Sequence, residues 1–157
     1  MIRAAILILL ATPVTAQEIV FDPALVTQCY TNGEGTEPDC IGAASGLCQK
    51  RTEGGYSTLG MADCTNRETE EWDRLLNEEY GLLRDQLDEI DDGTGIDRSD
   101  ALRDAQRAWI AYRDAECGLR YALWQGGTIR TTIGTACHLG FTAKRTLELR
   151  GMRLEGY

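Results

Sequence analysis

The stretch richest in side chains that could do chemistry is AQRAWIAYRDAEC, residues 105–117. Four of its residues lie three, four and four positions apart: Gln106, Trp109, Arg113 and Cys117. An α-helix places all four on one face. An amide, an indole and a guanidinium on one face suit a polar contact between helices, a ligand-binding face or an active site. We expect the polar contact, because buried polar sets more often specify a structure than catalyse a reaction.

Arg113 is the charged member of this face and would need acceptors if it were buried. Asp73 and Asn77 lie four residues apart on the preceding predicted helix, so both would face the same neighbour. We therefore predict that Arg113 bonds to Asp73 or Asn77 and fixes the register of the two helices.

Catalytic chemistry finds little support in the residue pattern. His138 is the single histidine and follows Cys137, which is expected to be in a disulfide. Acidic pairs such as Glu70 and Glu71 lie on a charge-rich helix, where carboxylates are usually solvated. There is no C-x-x-C pair and no histidine pair at ligand spacing. We predict no catalytic, cofactor-binding or metal-binding residues, and a protein that is not an enzyme.

The formal net charge of the 157-residue chain is −9. A negative surface repels nucleic acid and suits a cationic protein, although it also serves solubility alone. Two acidic loops, residues 31–39 and 89–97, could project towards such a partner or be ordinary solvated turns.

The first residues predict export. MIRAAILILLATPVTAQE has a basic start at Arg3, a short apolar run and small residues before Ala16. This pattern is typical of a secretory signal peptide, here residues 1–16 with cleavage after Ala16. The apolar run is about half the length that spans a bilayer, so no membrane anchor is predicted. We expect a periplasmic or secreted protein.

Six cysteines in a small exported chain indicate disulfides. Cys117 lies near the end of one predicted helix and Cys137 near the start of the next, and antiparallel packing brings them together. The other four cysteines allow three sets of pairs. We favour the set that joins Cys29 to Cys40 and Cys48 to Cys64, and the other two sets stay open.

Composition divides the mature chain into residues 17–63 and 64–157. The first part is rich in Gly, Thr and Cys and predicts short helices and loops held by cysteines. The second contains three long segments with apolar residues every three or four positions, which is typical of amphipathic helices. The predicted fold is all-α: an antiparallel bundle of three long helices with a short N-terminal helical and loop segment. Leu119 and Leu123 are predicted on the buried face of the second long helix.

Residues between about Cys64 and Leu149 resemble the LprI-type lysozyme-inhibitor N-terminal domain family. The resemblance is carried by WDRLLNEEY (72–80), LRDAQRAWIAYRDAEC (102–117), a later cysteine and TAKRTLEL (142–149). The family pattern falls on Leu76, Cys117 and Cys137 and on ten further residues. We call these ten residues the family motif: Trp72, Asp73, Asn77, Tyr80, Gln106, Trp109, Arg113, Asp114, Thr142 and Arg145.

This resemblance implies a small exported helical domain that binds and blocks lysozyme or a related glycan-cleaving enzyme. It does not indicate which residues inhibit. The chain differs from the named family member because no lipoprotein cysteine follows the predicted cleavage site. The alternative function is a periplasmic structural or binding module for another envelope partner, without catalysis.

Overall fold

The structure, a computed structural model, describes residues 18–91, 93 and 95–155. Within these ranges it contains no strand and five helices: α1 (Ala24–Asn32), α2 (Ala43–Arg51), α3 (Thr58–Ile90), α4 (Arg98–Leu123) and α5 (Ile129–Glu155). The all-α prediction is confirmed. The predicted signal peptide and its cleavage site lie outside the described residues. No helix in the described part of the chain is both long enough and apolar enough to cross a membrane.

Helix α3 is the longest element, and its apolar face forms the centre of the core. Ser57 begins the helix, because its side chain accepts a hydrogen bond from the Gly60 N–H at 3.0 Å. Trp72 is fully buried. Further along the same face, at helical spacing, three leucines are also buried: Leu76, Leu83 and Leu87. Burial of such a stripe supplies the main stabilisation of an amphipathic helix.

Helix α5 packs along α3 and runs in the same direction. Near the middle of the pair, the Thr146 hydroxyl lies 3.1 Å from the Trp72 carbonyl oxygen. Seven residues further along both helices, Arg153 pairs with Glu79 at 2.6 Å. This α3–α5 pair is the most extensive helix contact among the described residues.

Helix α4 runs in the opposite direction to α5. Gln106 contacts Arg145, whereas Cys117, later in α4, is bonded to Cys137, earlier in α5. The prediction that the later part of α4 is buried is wrong: Leu119 is 53% exposed and Leu123 72%. The remaining helices that could have covered this face, α1 and α2, pack on α3 instead.

The N-terminal segment shares the core of the long helices. Val26 of α1 and Ala44 of α2 are buried in one cluster with Trp72 and Leu75. The predicted division at residues 63 and 64 falls within α3, so it marks a change of composition along a continuous helix.

Three disulfides join distant parts of the chain. The bonded pairs are Cys29–Cys40, Cys48–Cys64 and Cys117–Cys137, with Cα–Cα distances of 5.6, 5.7 and 5.6 Å. These are the pairs that the sequence favoured. The first pair closes the loop between α1 and α2, the second joins α2 to α3, and the third joins α4 to α5.

Candidate functional site

Six residues of the family motif line one cavity of about 430 Å³ between α3 and α4. We call it the α3–α4 groove, and its motif residues are Asp73, Asn77, Tyr80, Gln106, Trp109 and Arg113. The first three come from successive turns of α3 and the last three from successive turns of α4. Helical spacing of three and four residues therefore produces both walls.

On the α3 wall, neighbouring turns bond to each other. The Asn77 amide nitrogen lies 3.0 Å from a carboxylate oxygen of Asp73 and 2.8 Å from the Asp73 carbonyl oxygen. Tyr80 is half-buried one turn further on. The guanidinium of Arg84 lies 5.8 Å from the centre of the Tyr80 ring, within the range of a cation–π contact.

On the α4 wall, the structure corrects the predicted partner of Arg113. Its Nε donates to the exposed Asp114 carboxylate at 2.9 Å, and its guanidinium lies 5.1 Å from the Trp109 ring centre. No hydrogen bond to Asp73 or Asn77 is formed among the described residues. The predicted polar contact through Arg113 is therefore wrong, because Asp114 is adjacent in sequence and Asp73 already accepts from Asn77.

The polar contact that does join two helices here is made by Arg145 of α5. Arg145 is buried, and its Nε donates to the Gln106 side-chain oxygen at 3.0 Å. A second nitrogen donates to Glu148 at 3.2 Å. The guanidinium also lies 6.0 Å from the Trp109 ring centre. Arg145 of α5 therefore contacts both Gln106 and Trp109.

Thr142 lines a second, smaller cavity that adjoins the groove. We call it the Thr142 cavity; it shares Asp73 and Arg113 with the groove and also touches His138. Thr142 is fully buried, and its hydroxyl has no hydrogen-bond partner among the described residues. Trp72, the remaining motif residue, lies in the core, where its indole N–H donates to Glu68 at 3.3 Å.

The surroundings of His138 favour its neutral form. Burial lowers its pKa below the ordinary value of 6.5, and the nearby Arg113 lowers it further against the opposing effect of Asp114. Its neighbour Cys137 is bonded to Cys117 and is not a nucleophile. Among the described residues, no cluster of His, Cys, Asp and Glu is arranged to hold a metal ion.

The two acidic loops differ in how their carboxylates are used. In the later loop, Asp91 accepts hydrogen bonds from two backbone N–H groups, and Asp97 caps α4 by accepting from the Asp100 N–H at 2.7 Å. In the earlier loop, Glu37 pairs with Lys144 of α5 at 2.6 Å, while Glu34 remains exposed. The carboxylates of Asp91 and Asp97 therefore stabilise the later loop, whereas the Glu34 carboxylate of the earlier loop is exposed to solvent.

Two buried carboxylates of α3 were missed from the sequence. Glu68 accepts from the N–H groups of Gly42 and Ser45, each at 2.7 Å, and so joins α2 to α3. Glu79 accepts from the Tyr30 hydroxyl and pairs with Arg153. Their positions could have indicated this burial, because each carboxylate lies four residues from a buried residue of the apolar face.

The chain resembles proteins of one described family. The family model described as lysozyme inhibitor LprI matches residues 48–149, which is more than half of the chain. An uncharacterized protein of Rhizobium meliloti (strain 1021) is 31% identical over 125 residues, covering 76% of this chain and 81% of that protein. No solved structure matches the chain significantly. The chain belongs to the LprI lysozyme inhibitor family.

Proposed function

We propose that the protein is an exported inhibitor that binds and blocks lysozyme or a related glycan-cleaving enzyme, and that it is not itself an enzyme. The observation that carries this proposal is the family match over residues 48–149. The net charge of −9 supports it, because lysozymes are commonly cationic and opposite charges accelerate association.

Export belongs to the same proposal. Residues 1–16 would be removed as a signal peptide after Ala16, which would place the mature chain in the periplasm or outside the cell. The three disulfides support this location, since such bonds persist in oxidising compartments. They would also lower the entropic cost of binding by holding the surface in one conformation.

The inhibitory contact, in this proposal, is the earlier acidic loop. Cys29–Cys40 closes this loop at its two ends, and Glu34 and Asp39 are exposed on it. A short, closed, negative loop fits a cleft in a cationic protein. The later loop is a weaker candidate, because its carboxylates already bond to backbone N–H groups.

The test is a lysozyme assay with the oxidised chain of residues 17–157, using several lysozyme types at low and moderate salt. We expect inhibition that saturates near one to one, weakens with salt and disappears when the protein is reduced and alkylated. The variant Glu34→Gln/Asp39→Asn should inhibit about tenfold less well. Asp85→Asn/Asp88→Asn is the matched control, because it removes the same charge from exposed positions on α3 outside both loops.

A second candidate function is a binding module for another envelope protein. Its support is the exposed apolar surface at the α4–α5 turn: Leu119, Leu123, Trp124 and Ile129. No inhibition of any lysozyme type at micromolar excess would contradict the first proposal and leave this second one. Equal loss of inhibition in the loop variant and its control would contradict the loop assignment alone.

A further inference from the structure

The α3–α4 groove is a basic surface on an acidic protein. Besides Arg113 it is lined by Arg84, Arg103 and Arg107, and the one carboxylate in its lining is that of Asp73. Three of these arginines also pair with carboxylates outside the lining: Asp100, Asp104 and Asp114. The whole chain has 16 basic and 25 acidic residues. A concave surface lined by four guanidinium groups offers donors to an anion. Attraction to a cationic enzyme therefore does not account for the groove.

The arginines are positioned by neighbours that leave donors for a ligand. The Nε of Arg84 donates to the Ser99 hydroxyl at 3.1 Å. Arg107 makes a long ion pair of 3.9 Å with Asp104, and its side chain is 73% exposed. Each guanidinium carries five N–H donors in a planar arrangement that matches a carboxylate. Exposed ion pairs are weak, so an incoming oxyanion can compete with them.

The remaining lining suits a sugar ring. Tyr80 and Trp109 are half-buried aromatic side chains on opposite walls of the groove, and an aromatic side chain offers apolar surface for the C–H face of a sugar. Asn77 and Gln106 bring amide groups to the same cavity, where they can bond hydroxyl or acetamido groups. The volume of about 430 Å³ lies within the range of small-molecule sites.

The adjoining Thr142 cavity supplies a buried polar group that has nothing to bond. The Thr142 hydroxyl has no partner in the described part of the chain, which is unfavourable for a buried polar atom. The cavity shares Asp73 and Arg113 with the groove. The two cavities therefore meet at Asp73 and Arg113.

We propose that the α3–α4 groove binds a sugar that carries a carboxylate group. The arginines bind the carboxylate, and the rings of Tyr80 and Trp109 pack against the sugar. This site lies between helices and does not include the earlier acidic loop. The proposal therefore stands or falls independently of lysozyme inhibition.

The first test is an NMR titration of the oxidised chain with two matched sugars. N-acetylmuramic acid carries a carboxylate on a lactyl group that N-acetylglucosamine lacks. We expect saturable shifts of the Trp109 indole signal with the acid, and binding of the neutral sugar at least about tenfold weaker. The Trp124 indole, at the C-terminal end of α4, is the internal reference and should not move.

The second test uses matched pairs of arginines. Arg103→Gln/Arg107→Gln should weaken binding of N-acetylmuramic acid by about tenfold or more. Arg67→Gln/Arg74→Gln removes the same charge from arginines on α3 that also pair with acidic residues, and should leave binding within about twofold.

Three results would overturn the proposal. The first is equal binding of the two sugars, or no saturable shift up to about 20 mM ligand. The second is equal weakening in the two double variants. The third is inorganic phosphate binding as tightly as N-acetylmuramic acid, which would reduce the groove to a general anion site.

Discussion

Helices α3 and α4 are both long and amphipathic, but they use their polar residues in opposite ways. Of the 33 residues of α3, 11 are buried, whereas α4 buries 4 of 26. The buried residues of α3 include two carboxylates, Glu68 and Glu79, and each of them bonds to other elements. The charged residues of α4 lie at the surface. Buried charge on α3 therefore holds the fold together, whereas the charged residues of α4 pair with each other near the surface, within reach of a ligand.

Among the substitutions that test this contrast, replacement of Glu79 is expected to lower the free energy of unfolding most. Its side chain is 2% exposed and receives two hydrogen bonds from Arg153, at 2.6 and 2.9 Å, as well as one from the Tyr30 hydroxyl. Glu79→Ala would leave Arg153 partly buried without its partner, so we expect a loss of about 3–5 kcal/mol in the free energy of unfolding. Urea denaturation measures it.

The matched control is the neighbouring Glu78, which pairs with Arg74 and is 57% exposed. Glu78→Ala should cost no more than about 0.5 kcal/mol, because exposed ion pairs contribute little. Similar losses in the two variants would contradict the division between structural and exposed charge. Glu79→Gln, which retains the shape of the side chain, should fall between them.

The Glu79 carboxylate also predicts that the folded protein loses stability at acidic pH. Burial raises the pKa of Glu79, but hydrogen bonds from Arg153 and Tyr30 outweigh it and hold the pKa below its ordinary value of 4.5. The unfolded chain then binds the proton more readily, so the stabilisation is present above about pH 4.5 and is lost as pH falls through the lowered value. The stability difference between wild type and Glu79→Gln should shrink below pH 4.5.

At alkaline pH the corresponding group is Tyr30. Burial and the bond to Glu79 raise its pKa from 10.0 to about 12. A raised pKa stabilises the protonated, folded form, so this contribution is complete below pH 10 and is lost as pH rises towards 12. Tyr30→Phe should remove this part of the alkaline dependence, and unchanged pH profiles in the variant would contradict it.

The sequence predicted the regular parts of both helices and missed their partners. The apolar face of α3 follows from the spacing of its apolar residues, which is a local property. The exposure of Leu119 and Leu123 does not, because it depends on where α1 and α2 pack. A periodic apolar face predicts which residues can be buried, but it does not predict which element packs on them.

The sequence predicted which residues share the candidate site, but it did not predict which partners they bond to. Spacing placed Gln106, Trp109 and Arg113 on one face, and the structure brings them to one groove with Asp73. The partner of Arg113 could not be predicted, because Asp114 competes from the adjacent position in sequence. Choosing between two acceptors requires distances that spacing alone does not give.

The next largest effect concerns how α4 is held. With few buried residues beyond Gln106, its later part depends on the Cys117–Cys137 bond, which joins positions 20 residues apart. Cys117→Ala/Cys137→Ala should lower the free energy of unfolding by about 3 kcal/mol. Hydrogen exchange should accelerate most in residues 118–128. Equal acceleration throughout α3 would show instead that α4 is held by packing.

The smallest effect compares two threonines on the same face of α5. Thr142 and Thr146 are both fully buried and lie one turn apart. The Thr146 hydroxyl lies 3.1 Å from the Trp72 carbonyl oxygen on α3, so Thr146→Val should cost about 1–2 kcal/mol. The Thr142 hydroxyl is buried and has no partner in the described structure. Thr142→Val removes an unpaired polar atom at nearly constant volume and should change stability by less than about 0.5 kcal/mol.

Thermal denaturation of the two valine variants measures this difference under identical conditions. An equal cost would mean that the Thr142 hydroxyl is already bonded in the folded protein. An unequal cost would mean that burial alone does not set the contribution of a threonine hydroxyl on this face of α5. The difference would then come from the carbonyl oxygen on α3 that Thr146 contacts and Thr142 does not.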